Sequence, residues 1–161
     1  MARTVGIGKQ NYEKIVVNNN FYVDKTLFIK EWWENDDEVT LIARPRRFGK
    51  TLNMSMIEQF FSVDYAGRSG LFENMNIWKE EKYQEMQGKF PVISLSFANV
   101  KENTFEKAKI RMCQILSDLY DKKGFLKNSG LLTEKEVNYF NRVSEDMAET
   151  DAIVCLQRLC D

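Results

Sequence analysis

Apolar residues along this chain come in short knots whose spacing changes from segment to segment. Residues 5–20 are mostly polar apart from Ile15, Val16 and Val17, a pattern that predicts a helical turn and a loop. In NNNFYVDKTLFIKEWWE, Phe21, Tyr22 and Val23 read as extended. Leu27, Phe28, Trp32 and Trp33 then fall on one helical stripe, with Asp24 or Thr26 as its cap. VTLIA, residues 39–43, is a β-branched apolar run between turn signals and predicts a buried parallel strand. Over 51–63, Leu52, Met56, Ile57, Phe60 and Phe61 recur at the spacing of one helix face. The predicted order is strand, loop, helix.

Downstream, Gly67 and Gly70 punctuate a mixed segment that leads into LFENMNIWKEEKYQEMQG, helical in patches. PVISLSFANV, residues 91–100, predicts a second strand with Ile93, Leu95 and Phe97 on one face and Val92 on the other. Residues 101–121 form an amphipathic helix marked by Phe105, Ala108, Met112, Ile115, Leu116 and Leu119, and Gly124 ends that region. Thr133 and Glu136 make a capping box, and DAIVCLQRLC repeats apolar residues at helical spacing. The pattern as a whole predicts an α/β fold, a short parallel sheet flanked by helices, with an all-helical C-terminal portion. Its segments are 1–38, a strand–loop–helix core at 39–125, and 126–161.

Composition narrows the chemistry. A chain of 161 residues buries roughly 70% of its unfolded surface, enough for one globular domain. The formal net charge of −1 gives no global field toward nucleic acid or anionic membranes, so any anion site is local. There is no histidine, which removes histidine-based hydrolase arrangements and the commonest zinc ligand. Cys113, Cys155 and Cys160 are too few for a disulfide framework and read as buried reduced thiols. The acidic run ENDDE, residues 34–38, reads as a solvated turn rather than a metal site. No apolar signal region opens the chain and no apolar run reaches the ~18 residues of a membrane span, so the expected location is the cytoplasm.

The candidate chemistry lies in LIARPRRFGKT, residues 41–51. It ends like the phosphate-binding pattern G-x-x-x-x-G-K-S/T, but Arg44 stands where the first glycine belongs. Gly8-Lys9 and Gly88-Lys89 serve as internal controls, because neither is followed by a hydroxyl or lies between a strand and a helix. Gly49 lets the backbone approach phosphate oxygens, the N–H groups that open the next helix point at the anion, and Lys50 reaches the β- and γ-phosphates. Thr51 offers the hydroxyl expected on Mg²⁺. Between Glu38 and Glu58 stand four basic residues, Arg44, Arg46, Arg47 and Lys50, and no acid. Pro45 fixes an ordinary turn φ and pushes Arg44 toward extended geometry, so the mouth of the loop differs from the usual one while its phosphate-facing end does not. The expected nucleotide-binding set is Arg44, Arg46, Arg47, Phe48, Gly49, Lys50, Thr51 and Leu52.

FYVDKT, VTLIARPRRFGKTLNMSM, LFENMNIW and GKFPVISLSF, in that order, resemble the AAA-ATPase-like family of bacterial P-loop proteins over residues 6–120 or so. In that family RPRRFGK followed by Thr or Ser is the Walker A version, so the resemblance makes Arg44 ordinary. It implies ATP with Mg²⁺ on a P-loop NTPase domain, of which this chain is the N-terminal part. Longer members carry a C-terminal domain similar to PD-(D/E)XK nucleases, which is how nucleic acid enters as an implied partner. Neither the nuclease carboxylates nor a Walker B acid is found here. Asp24 and Lys25 match a recurrent family segment and are candidates to lie beside the nucleotide, although capping explains them as well. Tyr22, Trp32 and Trp33 are candidates to stack on adenine, although helical spacing suits core residues better. The leading expectation is ATP binding without turnover by this chain alone, with bare strand edges favouring self-association. The alternatives are a nucleic-acid-binding module built on RPRR and an interaction scaffold with a degenerate loop.

Overall fold

The computed structural model describes residues 3–160. They divide into two compact units with the boundary between Val92 and Ile93, each with its own buried cluster.

The first unit contains α1 (Tyr12–Val17), α2 (Leu27–Asn35), α3 (Lys50–Phe61) and α4 (Glu81–Met86), with 3-10 turns at Val63–Tyr65, Ser69–Leu71 and Asn76–Lys79. Side chains of α3 accept the otherwise orphaned N–H groups that open α1: Ser55 Oγ takes Tyr12 N–H at 3.2 Å and Gln59 Oε1 takes Glu13 N–H at 2.9 Å. That is why a polar Gln59 lies buried beside Met56 and Phe60. Tyr12 stacks on Phe72 at 5.1 Å and donates its hydroxyl to the Leu71 carbonyl, so its polar end is satisfied inside the core. Trp33 stacks on Phe61 at 5.4 Å, and Trp32 meets the same ring edge-on. These two aromatics, candidates for adenine stacking, pack on the core.

The expected α/β fold with a short parallel sheet is not what forms. Among the described residues the architecture is helical, and the one β feature is an isolated parallel bridge between Ser62 and Phe90. Phe90 N–H donates to the Phe61 carbonyl and Val63 N–H to the Phe90 carbonyl, both at 2.9 Å. The ladder stops there because the chain turns away in the 3-10 turn at Val63–Tyr65. The runs at 39–43 and 91–100, expected as strands, carry no strand pairing. Apolar β-branched side chains make a strand compatible, but a strand exists only through a paired neighbour, and Val39 and Leu41 remain 87% and 86% exposed.

The second unit contains α5 (Phe105–Lys122), α6 (Glu134–Phe140) and α7 (Glu149–Cys160), with a 3-10 turn at Gly124–Asn128. Thr104 caps α5 by accepting the Lys107 N–H. The box at α6 is complete, Thr133 accepting the Glu136 N–H while Glu136 accepts the Thr133 N–H. Tyr120 and Tyr139 sit in the core and donate their hydroxyls to α7 carbonyls, at Cys155 (2.7 Å) and Asp151 (2.8 Å). Burial raises the pKa of both phenols and of the Cys155 thiol. Cys113 and Cys155 are buried as expected, but Cys160 is exposed. Five residues past Cys155, it has turned about 140° round the helix.

Candidate functional site

The loop before α3 is shaped by its backbone. Pro45 opens a turn in which its carbonyl accepts the Phe48 N–H at 3.4 Å. Arg47 and Gly49 both adopt left-handed conformations, φ 67° and 76°. At Gly49 this suits the residue, and a Cβ built there would meet nothing within 4 Å, so the space over the loop is open. At Arg47 the same region is strained, the kind of outlier that gathers where a loop binds something. Gly49 is the N-cap of α3 and no side chain caps that end; its carbonyl accepts the Asn53 N–H at 2.9 Å. Lys50 Nζ turns back to donate to the Arg44 carbonyl across the loop. Arg44, Arg46, Arg47, Phe48 and Thr51 are exposed, whereas Leu52 packs against the core.

Beside this loop lies a cleft of about 720 Å³ between α2, the extended segment at 39–43 and the start of α3. Lys25, Phe28, Leu41, Arg44, Phe48 and Asn53 line it, and Glu31 is the one carboxylate on its wall. Three residues of the expected site, Lys25, Arg44 and Phe48, are therefore brought to one cavity, while Arg46, Arg47, Lys50 and Thr51 do not line it. Phe28, Glu31, Leu41 and Asn53 were not among the expected nucleotide-binding residues. Their apolar members were legible only as a helical stripe and a strand-like run, which say nothing about a cavity.

Asp24 is placed differently. Its Oδ1 accepts from the Thr26 N–H (2.8 Å) and hydroxyl (2.7 Å), and its Oδ2 accepts the Asn76 N–H at 2.7 Å. Buried Thr26 in turn accepts the Ile77 N–H at 3.1 Å. YVDKT is thereby latched to the 3-10 turn of LFENMNIW. Burial works to raise the Asp24 pKa, but the hydrogen bonds from Thr26 and Asn76, with Lys79 nearby, outweigh it and hold the carboxyl below its ordinary range. Of the two expected caps, Asp24 or Thr26, it is Thr26 that stands at the N-cap of α2, though its side chain makes no capping hydrogen bond there.

The family model described as Predicted AAA-ATPase matches residues 6–156. The chain belongs to the AAA-ATPase-like family. No curated protein and no solved structure matches it. The family match spans both units of the fold, so within the AAA-ATPase-like family the helical second unit belongs to the common body as much as the loop does. No helix among the described residues is long and apolar enough to cross a membrane.

Proposed function

We propose that the first unit binds ATP, with the triphosphate on the loop of Arg44, Arg46, Arg47, Phe48, Gly49, Lys50 and Thr51 and the nucleoside in the adjoining cleft. The observation that carries this reading is the turn at Gly49: it opens α3 without a side-chain cap, under open space, with basic side chains around it. Uncapped N–H groups at a helix start favour an anion, and the exposed guanidiniums add charge to that preference. Lys50, now on the Arg44 carbonyl, has a phosphate oxygen as its better partner because that bond is between opposite charges. The apolar part of the cleft, Phe28, Leu41 and Phe48, suits a base, and Lys25 at its rim suits further phosphate or ribose oxygens.

The residues fit Mg²⁺ less fully than they fit phosphate. Thr51 supplies a hydroxyl, and the loop supplies no carboxylate. The Thr51 hydroxyl would hold Mg²⁺ alongside the phosphates, and the ion would supply neutralisation of their charge. Phosphoryl transfer also requires an oriented water and charge stabilisation from separate groups. The chain offers Lys50 and Thr51 for this, and Glu31, the one carboxylate on the cleft wall, lines the space assigned to the nucleoside rather than the loop. We expect binding with turnover near background.

Calorimetric titration with ATP, GTP and short duplex DNA, with and without Mg²⁺, tests this reading. Lys50→Ala is expected to weaken Mg-ATP binding about 10- to 150-fold, the worth of a charge-assisted hydrogen bond. Equal affinity in a folded Lys50→Ala variant removes Lys50 from the site. Steeply salt-dependent DNA binding that ignores ATP, and that falls when Arg44, Arg46 and Arg47 are changed together, assigns the loop to nucleic acid instead.

A further inference from the structure

The second unit holds a separate concavity of about 340 Å³ lined by Glu134, Lys135, Asn138, Tyr139, Arg142 and Arg158. The ring of Tyr139, buried in the core of this unit, lines it, and two exposed guanidiniums lie near that ring, Arg158 at 4.0 Å and Arg142 at 5.2 Å from its centroid. The ring is itself fixed, since its hydroxyl donates to the Asp151 carbonyl at 2.8 Å.

Charge in this place is incompletely balanced. Arg142 pairs with Asp151 at 3.2 Å, but Arg158 has no carboxylate partner among the described residues, and Lys135 adds a third cation at the wall against Glu134 alone. Gathering two guanidiniums on one ring is favourable to each separately as a cation–π contact and unfavourable between them. An anion placed between the forks relieves that repulsion, and guanidinium forks match tetrahedral oxyanions in two-point fashion. Arg142 is held by its pair with Asp151 and both guanidiniums by their contact with the ring, so less side-chain freedom is lost on binding than for arginines free in solvent.

We propose that this concavity is a binding site for a single phosphate group, independent of the nucleotide loop in the first unit. A polyanion is the poorer fit. Residues 93–161 carry ten Lys and Arg against eleven Asp and Glu, so no basic field extends around the pocket to track a nucleic-acid backbone. The Tyr139 ring is also buried, which removes the stacking platform that single strands use. What remains is local recognition of one compact, strongly charged group, free or at the end of a small ligand.

The test is a titration of the full chain with inorganic phosphate at constant ionic strength, followed by NMR through the backbone amides of residues 134–142 and the Nε–H signals of Arg142 and Arg158. Chloride serves as the control anion. The expected result is saturable shifts at these positions, about tenfold weaker binding in Arg158→Gln, and a partial recovery in Arg158→Lys, which restores charge without the fork. Lys135→Gln, at an exposed position remote from the core, is expected to weaken binding by a smaller factor. It keeps the test decisive if Arg158→Gln unfolds. Lys50→Ala is expected to leave these shifts unchanged, which separates the site from the loop. The proposal is overturned if the shifts are absent or match those with chloride. Affinity unchanged in both Arg158→Gln and Lys135→Gln also overturns it, and so does short duplex DNA binding these residues more tightly than phosphate at the same salt.

Discussion

Asp24 shows how a single carboxylate ties two distant stretches together. Three hydrogen bonds converge on it, and bonds to a charged group are worth about 1.5–3 kcal/mol each when their loss leaves partners unsatisfied. Asp24→Asn turns an amide toward the Asn76 N–H or the Thr26 donors, so we expect a loss of about 1.5–3 kcal/mol in urea unfolding at pH 7. The pH dependence follows from the lowered pKa. The stabilisation is present above the ordinary value of 3.8 and is lost as pH falls through the folded value, so wild type and Asp24→Asn should converge in stability in acid. A constant gap down to the acid limit would show that Asp24 acts without its charge. Two glycines give a second contrast at this scale. Gly49 and Gly88 share a positive φ, but a Cβ at Gly49 meets nothing, whereas at Gly88 it would lie 2.7 Å from Ala66 Cα. Gly49→Ala should therefore lose only the conformational term, about 1–2 kcal/mol. Gly88→Ala should lose distinctly more in the same denaturation assay, and equal losses would mean the backbone around Ala66 yields freely.

At the scale of elements, the sequence was most informative where local chemistry alone decides the outcome. Thr133 and Glu136 form their box within four residues, and the stripe Leu52, Met56, Phe60 needs only helical spacing, so both were legible. The runs at 39–43 and 91–100 misled because strand formation depends on a partner that a segment's own composition does not specify. The residue types around Gly49 and the start of a helix there were legible, but the cavity beside them was not. It arises from Phe28 and Glu31 on α2 meeting Leu41 and Asn53, which no local pattern announces. The same holds for the tie between α1 and α3. Gln59 looks like an ordinary polar position, yet it accepts the Glu13 N–H from a buried place. Gln59→Leu keeps the volume and leaves that N–H without an acceptor, an expected loss of about 1–3 kcal/mol. Gln59→Glu retains an acceptor oxygen but introduces a buried charge, so it should not restore full stability. Hydrogen exchange at Glu13 reports the effect directly, and unchanged protection there in Gln59→Leu would dissociate the bond from α1 stability.

For the molecule as a whole, the relevant balance is between its charge and its uncovered apolar surface. A formal net charge of −1 provides almost no mutual repulsion between copies near neutral pH. Val39 and Leu41 stand on an extended segment whose backbone makes no backbone hydrogen bond among the described residues, and both are almost fully exposed. Unpaired extended backbone with apolar side chains is the surface that most readily captures another chain. We therefore predict concentration-dependent self-association, visible as a rise in weight-average mass across a dilution series in sedimentation equilibrium. Leu41→Lys adds charge to the exposed segment and removes an apolar contact, so it should lower the association constant while leaving the helical circular dichroism unchanged. Because Leu41 also lines the cleft, the comparison needs Val39→Lys, which lies outside the lining and should weaken association without touching nucleotide affinity. A monomer at every concentration would show that the segment is innocuous despite its exposure. Association that persists in both variants would move the contact to another surface.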